Sequence, residues 1–211
     1  MEFRTRIKVC GITNPDDAQK AVSLGVDALG FVLAPSPRQV TPDLARRIIG
    51  CLPPFVSTVG LFVDYPLKEM LYLKNWCGFD HIQLHGREDE QTAKQLGPGV
   101  IKALKIRPDH KPKPGVYPNC ALLLDTFHPA KPGGTGLAFD WSLAIGISAQ
   151  RPITLAGGLN HENVTRAIDL VKPFAVDVSS GVELCPGRKD HSKLAEFVKQ
   201  VKQADRSRQT V

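Results

Sequence analysis

The sequence predicts an α/β protein, a single (β/α)8 TIM barrel in which eight parallel strands close on themselves. Three observations carry that expectation. Short β-rich apolar runs recur eight times at fairly even intervals, most of them separated by stretches with helical spacing and capping residues. The strand runs are near-continuously apolar, as strands covered on both faces are. Strands separated by helices pair in parallel, because a chain returning through a helix must cross over. An open doubly wound sheet is the competing arrangement. Eight parallel strands in 211 residues favour closure, as a lean barrel near the lower size limit of ~200 residues. The barrel domain is placed at residues 1–203.

The first strand, Ile7–Cys10, leads to a helix capped by Asn14, with Pro15 at its first position, running to about Leu24 and stopped by Gly25. Ala28–Leu33 follows, and Thr41-Pro42 opens a helix ending near Gly50. After Val56–Val63, Pro66 starts a third helix that reaches Trp76 and stops at Gly78. After His81–Leu84, a fourth spans about Asp89–Leu96, with Gly97-Pro98 beyond it. The fifth strand, Val100–Ile106, runs into Arg107–Pro118, which holds Pro108, Pro112, Pro114, Pro118 and Gly115. Each interior proline costs a helix ~3 kcal/mol, so the fifth helix is replaced by a proline-rich crossover. Ala121–Asp125 precedes a short helix over Asp140–Ile145. Ile153–Ala156 precedes a helix capped by Asn160 and running through Leu170. Phe174–Val178 is the eighth strand, and Asp190 or Ser192 begins the last helix, through about Lys202. The polar tail, residues 204–211, is expected to be disordered.

With 42% hydrophobic and 23% charged residues the composition is that of a globular domain, and no apolar stretch approaches the ~20 residues of a membrane span. Met1-Glu2-Phe3-Arg4 runs straight into a strand, so no signal peptide is expected and the cytoplasm is the expected compartment. Five cysteines without CxxC spacing argue against a disulfide framework or a structural zinc site. The net charge of +6 is scattered apart from a cluster around Lys199, Lys202, Arg206 and Arg208. With 7% aromatics and no basic stripe, neither nucleic acid nor a membrane is an expected partner. A small anionic substrate fits the mild positive excess better.

In a barrel every residue just after a strand belongs to the C-terminal rim, where such folds keep their chemistry. That rim collects Cys10, Pro35-Ser36-Pro37-Arg38, Asp64, His85-Gly86, Asp125, Gly157-Gly158, Asp177 and Ser179-Ser180-Gly181. Bare amides around Gly157, Gly158, Ser179, Ser180 and Gly181 can surround a phosphate without any lysine; glycines also serve tight turns, but two such loops side by side favour the phosphate. No P-loop or dinucleotide fingerprint occurs. Free cysteines are often small buried hydrophobes, and Cys10 differs from the other four by its position. A thiol drawn down by nearby positive charge can remove a proton near neutral pH. Asp125 could cap the following loop; in a dry, apolar mouth it would instead hold a proton and face the thiol as an acid. Arg38, in a loop stiffened by two prolines, could hold a carboxylate bidentately or be a solvated surface residue. His81 and His85 share one strand face but lack a third ligand, so no metal is expected and His85 reads as a rim hydrogen-bonder. The Gly-rich loop within 126–139 could be a lid or a plain flexible loop.

Taken together, Lys8-Val9-Cys10-Gly11-Ile12-Thr13, Ser36-Pro37-Arg38, Gln83-Leu84-His85-Gly86, Leu123-Leu124-Asp125-Thr126, Gly133-Gly134-Thr135-Gly136, Phe139-Asp140-Trp141, Leu155-Ala156-Gly157-Gly158-Leu159 and Asp177-Val178-Ser179-Ser180-Gly181-Val182-Glu183 with Pro186-Gly187 resemble phosphoribosylanthranilate isomerases, in order and from Arg6 to about Lys202. The resemblance implies an Amadori rearrangement in tryptophan biosynthesis without metal or cofactor. It implies Cys10 as general base and Asp125 as general acid. Arg38 would contact the anthranilate carboxylate, with Gln83, His85 and Asp177 also at the substrate and the seventh and eighth loops at its phosphate. A monomer or a homodimer would serve equally. An aminoaldose isomerase of histidine biosynthesis is one rival; that family has an aspartate where Cys10 stands and an internal half-barrel repeat absent here. A phosphate-metabolite sensor is another, but a binder needs no paired thiol and carboxyl.

Overall fold

The structure is a computed structural model, and it describes residues 4–106, 115–126 and 141–209. Eight parallel strands close into one barrel in chain order: β1 (Arg6–Cys10), β2 (Ala28–Val32), β3 (Ser57–Phe62), β4 (His81–Leu84), β5 (Val100–Ile106), β6 (Ala121–Thr126), β7 (Ile153–Leu155) and β8 (Ala175–Val178), with β8 hydrogen-bonded back to β1. The open sheet is thereby excluded. Helices α1 (Pro15–Ser23), α2 (Pro42–Ile49), α3 (Leu67–Cys77), α4 (Glu90–Gln95), α5 (Ser142–Ser148), α6 (Val164–Val171) and α7 (His191–Gln209) lie between and after the strands. Between β5 and β6 the described residues, 115–120, form turns rather than a helix, and the prolines at 108, 112 and 114 lie outside the described residues. So do residues 127–140, and with them the Gly-rich loop weighed as a lid or a plain flexible loop.

Alternation along the strands builds two cores. Outward residues such as Val9, Leu29, Phe31, Leu122 and Leu124 pack with the helices in one large cluster. Inward residues form smaller groups, Ala103, Leu123 and Ala156 on one side and Cys10, Val32, Ala34 and Leu61 on the other. Helix starts follow the capping chemistry of the sequence: Asn14, Thr41 and Asp89 accept hydrogen bonds from the backbone N–H of Asp17, Leu44 and Thr92.

Two expectations need correction. The chain from 204 to 209 is not disordered: α7 continues to Gln209 because Ala204 and Asp205 are buried, and Asp205 accepts from the Thr5 N–H and hydroxyl at 2.9 and 2.7 Å. Asn160 does not cap a helix. Its side chain accepts from the N–H groups of Glu162 and Asn163 in a turn, and α6 starts four residues after it, at Val164, with Asn163 as its N-cap. After β8 the chain adds a 3-10 turn, Ser180–Val182, and a small hairpin, β9 (Glu183–Cys185) with β10 (Arg188–Lys189), which sits against the rim.

Candidate active site

The C-terminal ends of the strands surround a cavity of about 460 Å³ lined by Cys10, Arg38, Gln83, His85, Asp125, Gly157, Gly158, Asp177, Ser179 and Ser180. Val32, Ala34, Leu61 and Val63 give it an apolar side. Gly181 does not line it, and neither do Pro37, Asp64 and Gly86 of the rim. A Cβ on Gly181 would overlap the Leu159 carbonyl oxygen, so this glycine serves the close approach of the two loops rather than the cavity wall. Gly157 and Gly158, between β7 and α6, have φ of +86° and +67°, a left-handed backbone that a side chain would strain. Asn163 holds that loop by donating to the Gly158 carbonyl at 2.9 Å.

Asp125 faces His85, whose Nε2 lies 3.2 Å from Oδ2, while Gln83 Nε2 lies 3.1 Å from His85 Nδ1. With the glutamine amide donating to Nδ1, the histidine carries its proton on Nε2 and donates to Asp125. Asp125 is not fully enclosed, since its side chain keeps 28% exposure and a polar partner. The desolvated carboxyl is instead Asp177, which burial pushes above the usual carboxylate range although Lys8 Nζ donates to it at 2.9 Å.

Cys10 ends β1 with its thiol buried, and burial pushes the thiol up, against the downward pull of Lys8 and Lys189. The positive charges that would draw the thiol down are there, and desolvation outweighs them. Gly11, at φ +77°, leaves room for the Arg38 side chain and the Ser179 hydroxyl, both of which a Cβ would crowd. Arg38 donates through Nε and Nη2 to Glu183, at 2.8 and 2.6 Å, so it is held rather than solvated. Burial opposes ionisation of Glu183, yet hydrogen bonds from Arg38 and Lys189 hold it below the usual range. Lys189 is fully enclosed and donates to Glu183 at 2.8 Å, to the Cys10 carbonyl at 2.7 Å and to the Ser179 carbonyl at 3.3 Å. One ammonium thus ties the ends of β1 and β8 together with its three donors.

Residues 7–200 match the family model of N-(5'phosphoribosyl)anthranilate (PRA) isomerase. The chain belongs to that family. An N-(5'-phosphoribosyl)anthranilate isomerase of Pelobacter propionicus is 48% identical over 200 residues, 94% of this chain and 96% of that protein. The phosphoribosyl anthranilate isomerase of Thermotoga maritima superposes with a TM-score of 0.87 at 44% identity, over 94% of this chain and 99% of that one. A crystal structure of a phosphoribosyl anthranilate isomerase in complex with reduced 1-(o-carboxyphenylamino)-1-deoxyribulose 5-phosphate superposes with a TM-score of 0.84 at 42% identity, again over 94% and 99% of the two chains.

Sequence reading missed the residues that hold the site from behind. Lys8 was legible as a lysine on the same strand face as Cys10. Glu183 and Lys189 gave no comparable signal. Nor did the buried pair Lys102–Glu88 at 2.8 Å, which fixes the turn after His85: Lys102 donates to the Gly86 carbonyl, and Glu88 accepts from the N–H of Asp64 and Gly86.

Proposed function

We propose that this chain catalyses the Amadori rearrangement of N-(5-phosphoribosyl)anthranilate to 1-(2-carboxyphenylamino)-1-deoxyribulose 5-phosphate, in tryptophan biosynthesis. Asp125 is the general acid and Cys10 the general base. The observation that carries the reading is that a thiol ending β1 and a carboxyl ending β6 line one cavity, beside two glycine-containing loops whose amides suit a phosphate. The apolar side made by Val32, Ala34, Leu61 and Val63 suits an aromatic ring, and Arg38 stands next to it for the ring's carboxylate. Glu183 holds Nε and Nη2 of that arginine, which leaves Nη1 for the substrate.

In the first step Asp125 gives its proton to the ribose ring oxygen as the bond from that oxygen to the anomeric carbon breaks. The nitrogen lone pair forms the iminium. His85, donating to Oδ2, leaves the other carboxyl oxygen to deliver the proton. Cys10, as thiolate, then takes the proton from sugar carbon 2, and the electrons neutralise the iminium to give an enolamine that tautomerises to the ketone. The iminium's positive charge forms beside the thiolate, which favours the anion just when the base is needed. The scheme uses no metal or cofactor, and the phosphate site contributes positioning.

Loss of anthranilate-type fluorescence on turnover tests the reading. The wild-type chain should consume N-(5-phosphoribosyl)anthranilate. Cys10→Ser and Asp125→Asn should each lower kcat by about 10²–10⁴-fold with KM changed only a few-fold. Near-wild-type kcat in either variant sinks the assignment, and binding without turnover by the wild type would make the chain a sensor.

A further inference from the structure

We infer that Lys8 is the positioning residue that lets Cys10 act as a base, its ammonium seated on Asp177 and facing the sulfur across a notch kept open by Gly30. This rests on the reading of Cys10 as the base.

Lys8 and Cys10 are two residues apart on β1, so both point into the barrel. An ammonium there is costly to desolvate, and an isolated structural ion pair could be replaced by apolar side chains without loss. Asp177, opposite Lys8 in the β1–β8 register, answers one of its three donors. The Cys10 side chain also interacts with that ammonium, and Lys8 is only 5% exposed. Lys189 is different: its three acceptors are all in place, and it reaches Cys10 through the backbone carbonyl.

The second observation is on β2. A Cβ built on Gly30 would lie 2.9 Å from Cys10 Sγ and 3.1 Å from Lys8 Nζ. The sulfur and the ammonium therefore crowd the same point above a residue without a side chain. Gly30 pairs with Cys10 across the β1–β2 register and needs no positive φ, so its bareness serves this approach rather than a turn. The charged and titratable groups acting on Cys10 are Lys8, Asp177, Lys189 and Arg38. Of the cations, Lys189 and Arg38 are occupied by Glu183. Lys8 is held as an ammonium, since Asp177 and Cys10 outweigh its burial. When Cys10 ionises, its proton leaves to water and Lys8 keeps its own.

Alkylation by iodoacetamide reads this directly, because the thiolate is the nucleophile. The full chain is used with Cys51→Ser and Cys185→Ser removing the exposed thiols, and modification of the Cys10 peptide is followed by mass spectrometry from pH 6 to 10. Lys8→Met should slow alkylation of Cys10 near neutral pH by about tenfold or more, the effect of one pH unit's upward displacement of the profile. It should lower kcat by a similar factor with KM within about threefold, and Lys8→Arg should recover part of both. Lys8→Met leaves the Asp177 charge unpaired, so Lys8→Met with Asp177→Asn is the control for folding, read by alkylation alone. Gly30→Ala should shift the profile in the same direction. Superimposable alkylation profiles for wild type and both Lys8→Met chains overturn the proposal. Turnover persisting in Cys10→Ser would instead remove the base assignment, and the two failures are told apart by which measurement moves.

Discussion

The two ends of the barrel both carry cavities, and the larger one is at the wrong end for chemistry. The lower cavity, about 660 Å³, opens where the strands begin, between Arg6, Asp27, Phe55, His81, Arg151 and Phe174 among others. Its charged groups already have structural partners. Arg4 and Arg6 pair with Asp27, and Arg151 donates to the carbonyls of Val116, Tyr117 and Cys120. The upper cavity is smaller, yet a thiol, two carboxyls, an imidazole and a guanidinium converge on it. Convergence of polar groups that can still act on a ligand, rather than volume, marks the functional end. Lys8 stands between the two, its side chain lining the lower cavity and its ammonium meeting Asp177, which lines the upper one.

On that contrast, disturbing the rim should impair substrate binding or turnover and not stability alone. Gly181→Ala is the sharpest case after the catalytic pair. Its Cβ would meet the backbone at Leu159, which cannot step aside as a side-chain end could, so the seventh and eighth loops must separate. Overpacking of this kind costs ~1–3 kcal/mol. We expect KM for the phosphorylated substrate to rise by about tenfold or more with kcat changed little, measured by steady-state kinetics with inorganic phosphate as a competing ligand. An unchanged KM would detach the loops from phosphate.

Glu183 tests the same end with a smaller effect. Its carboxyl is held below the ordinary glutamate range despite its burial, by Arg38 and Lys189. The stability this supplies is fully present above the ordinary value of ~4.3 and is lost as pH falls through the lower folded value. Glu183→Gln should therefore be less stable at neutral pH and lose less on acidification than the wild type, followed by thermal unfolding from pH 7 to 3. A parallel displacement of the two curves would show that the carboxylate's charge does not matter there. The same variant should raise KM a few-fold by releasing Arg38.

How far the sequence discloses these parts depends on the range of the interaction involved. Cys10 and Asp125 are legible because each closes an apolar run, and parallel strands bring their ends to one rim. The eight strands themselves are legible for the same reason, apolar runs alternating with capped helices. Lys8 is half-legible: period two puts it beside the thiol, but Asp177 lies on the last strand, and nothing local marks it as a partner. Glu183 and Lys189 sit in strands of three and two residues, too short for any alternation to show. The last turns of α7 look polar, and long-range contacts order them, Asp205 with Thr5, Arg208 with the Ile168 carbonyl, and Ala204 with the core. Asn160 reads as the cap in the sequence, whereas the chemically identical Asn163 precedes α6. The choice between them is made by the turn that Asn160 closes and by the Gly158 carbonyl that Asn163 reaches.

The lower end supplies the opposite expectation, and Asp27 is the place to test it. Its Oδ2 accepts from the Ile7 N–H at 2.8 Å, and its two oxygens receive Arg4 at 2.9 and 2.6 Å, so it fastens the start of β1 to the start of β2. Arg4 and Arg6 are about half exposed, which limits the ion pairs to a small contribution, whereas the part-buried N–H of Ile7 loses its acceptor outright. Asp27→Ala should cost about 1–3 kcal/mol and lower Tm by several degrees. Because the strand ends that carry Cys10 and Asp177 are held by Lys189 at the far rim, kcat/KM at 25 °C should stay within about twofold of wild type. A tenfold fall in kcat/KM without loss of folded protein would mean that the lower end sets the geometry of the upper one, and the division of labour between them would not hold.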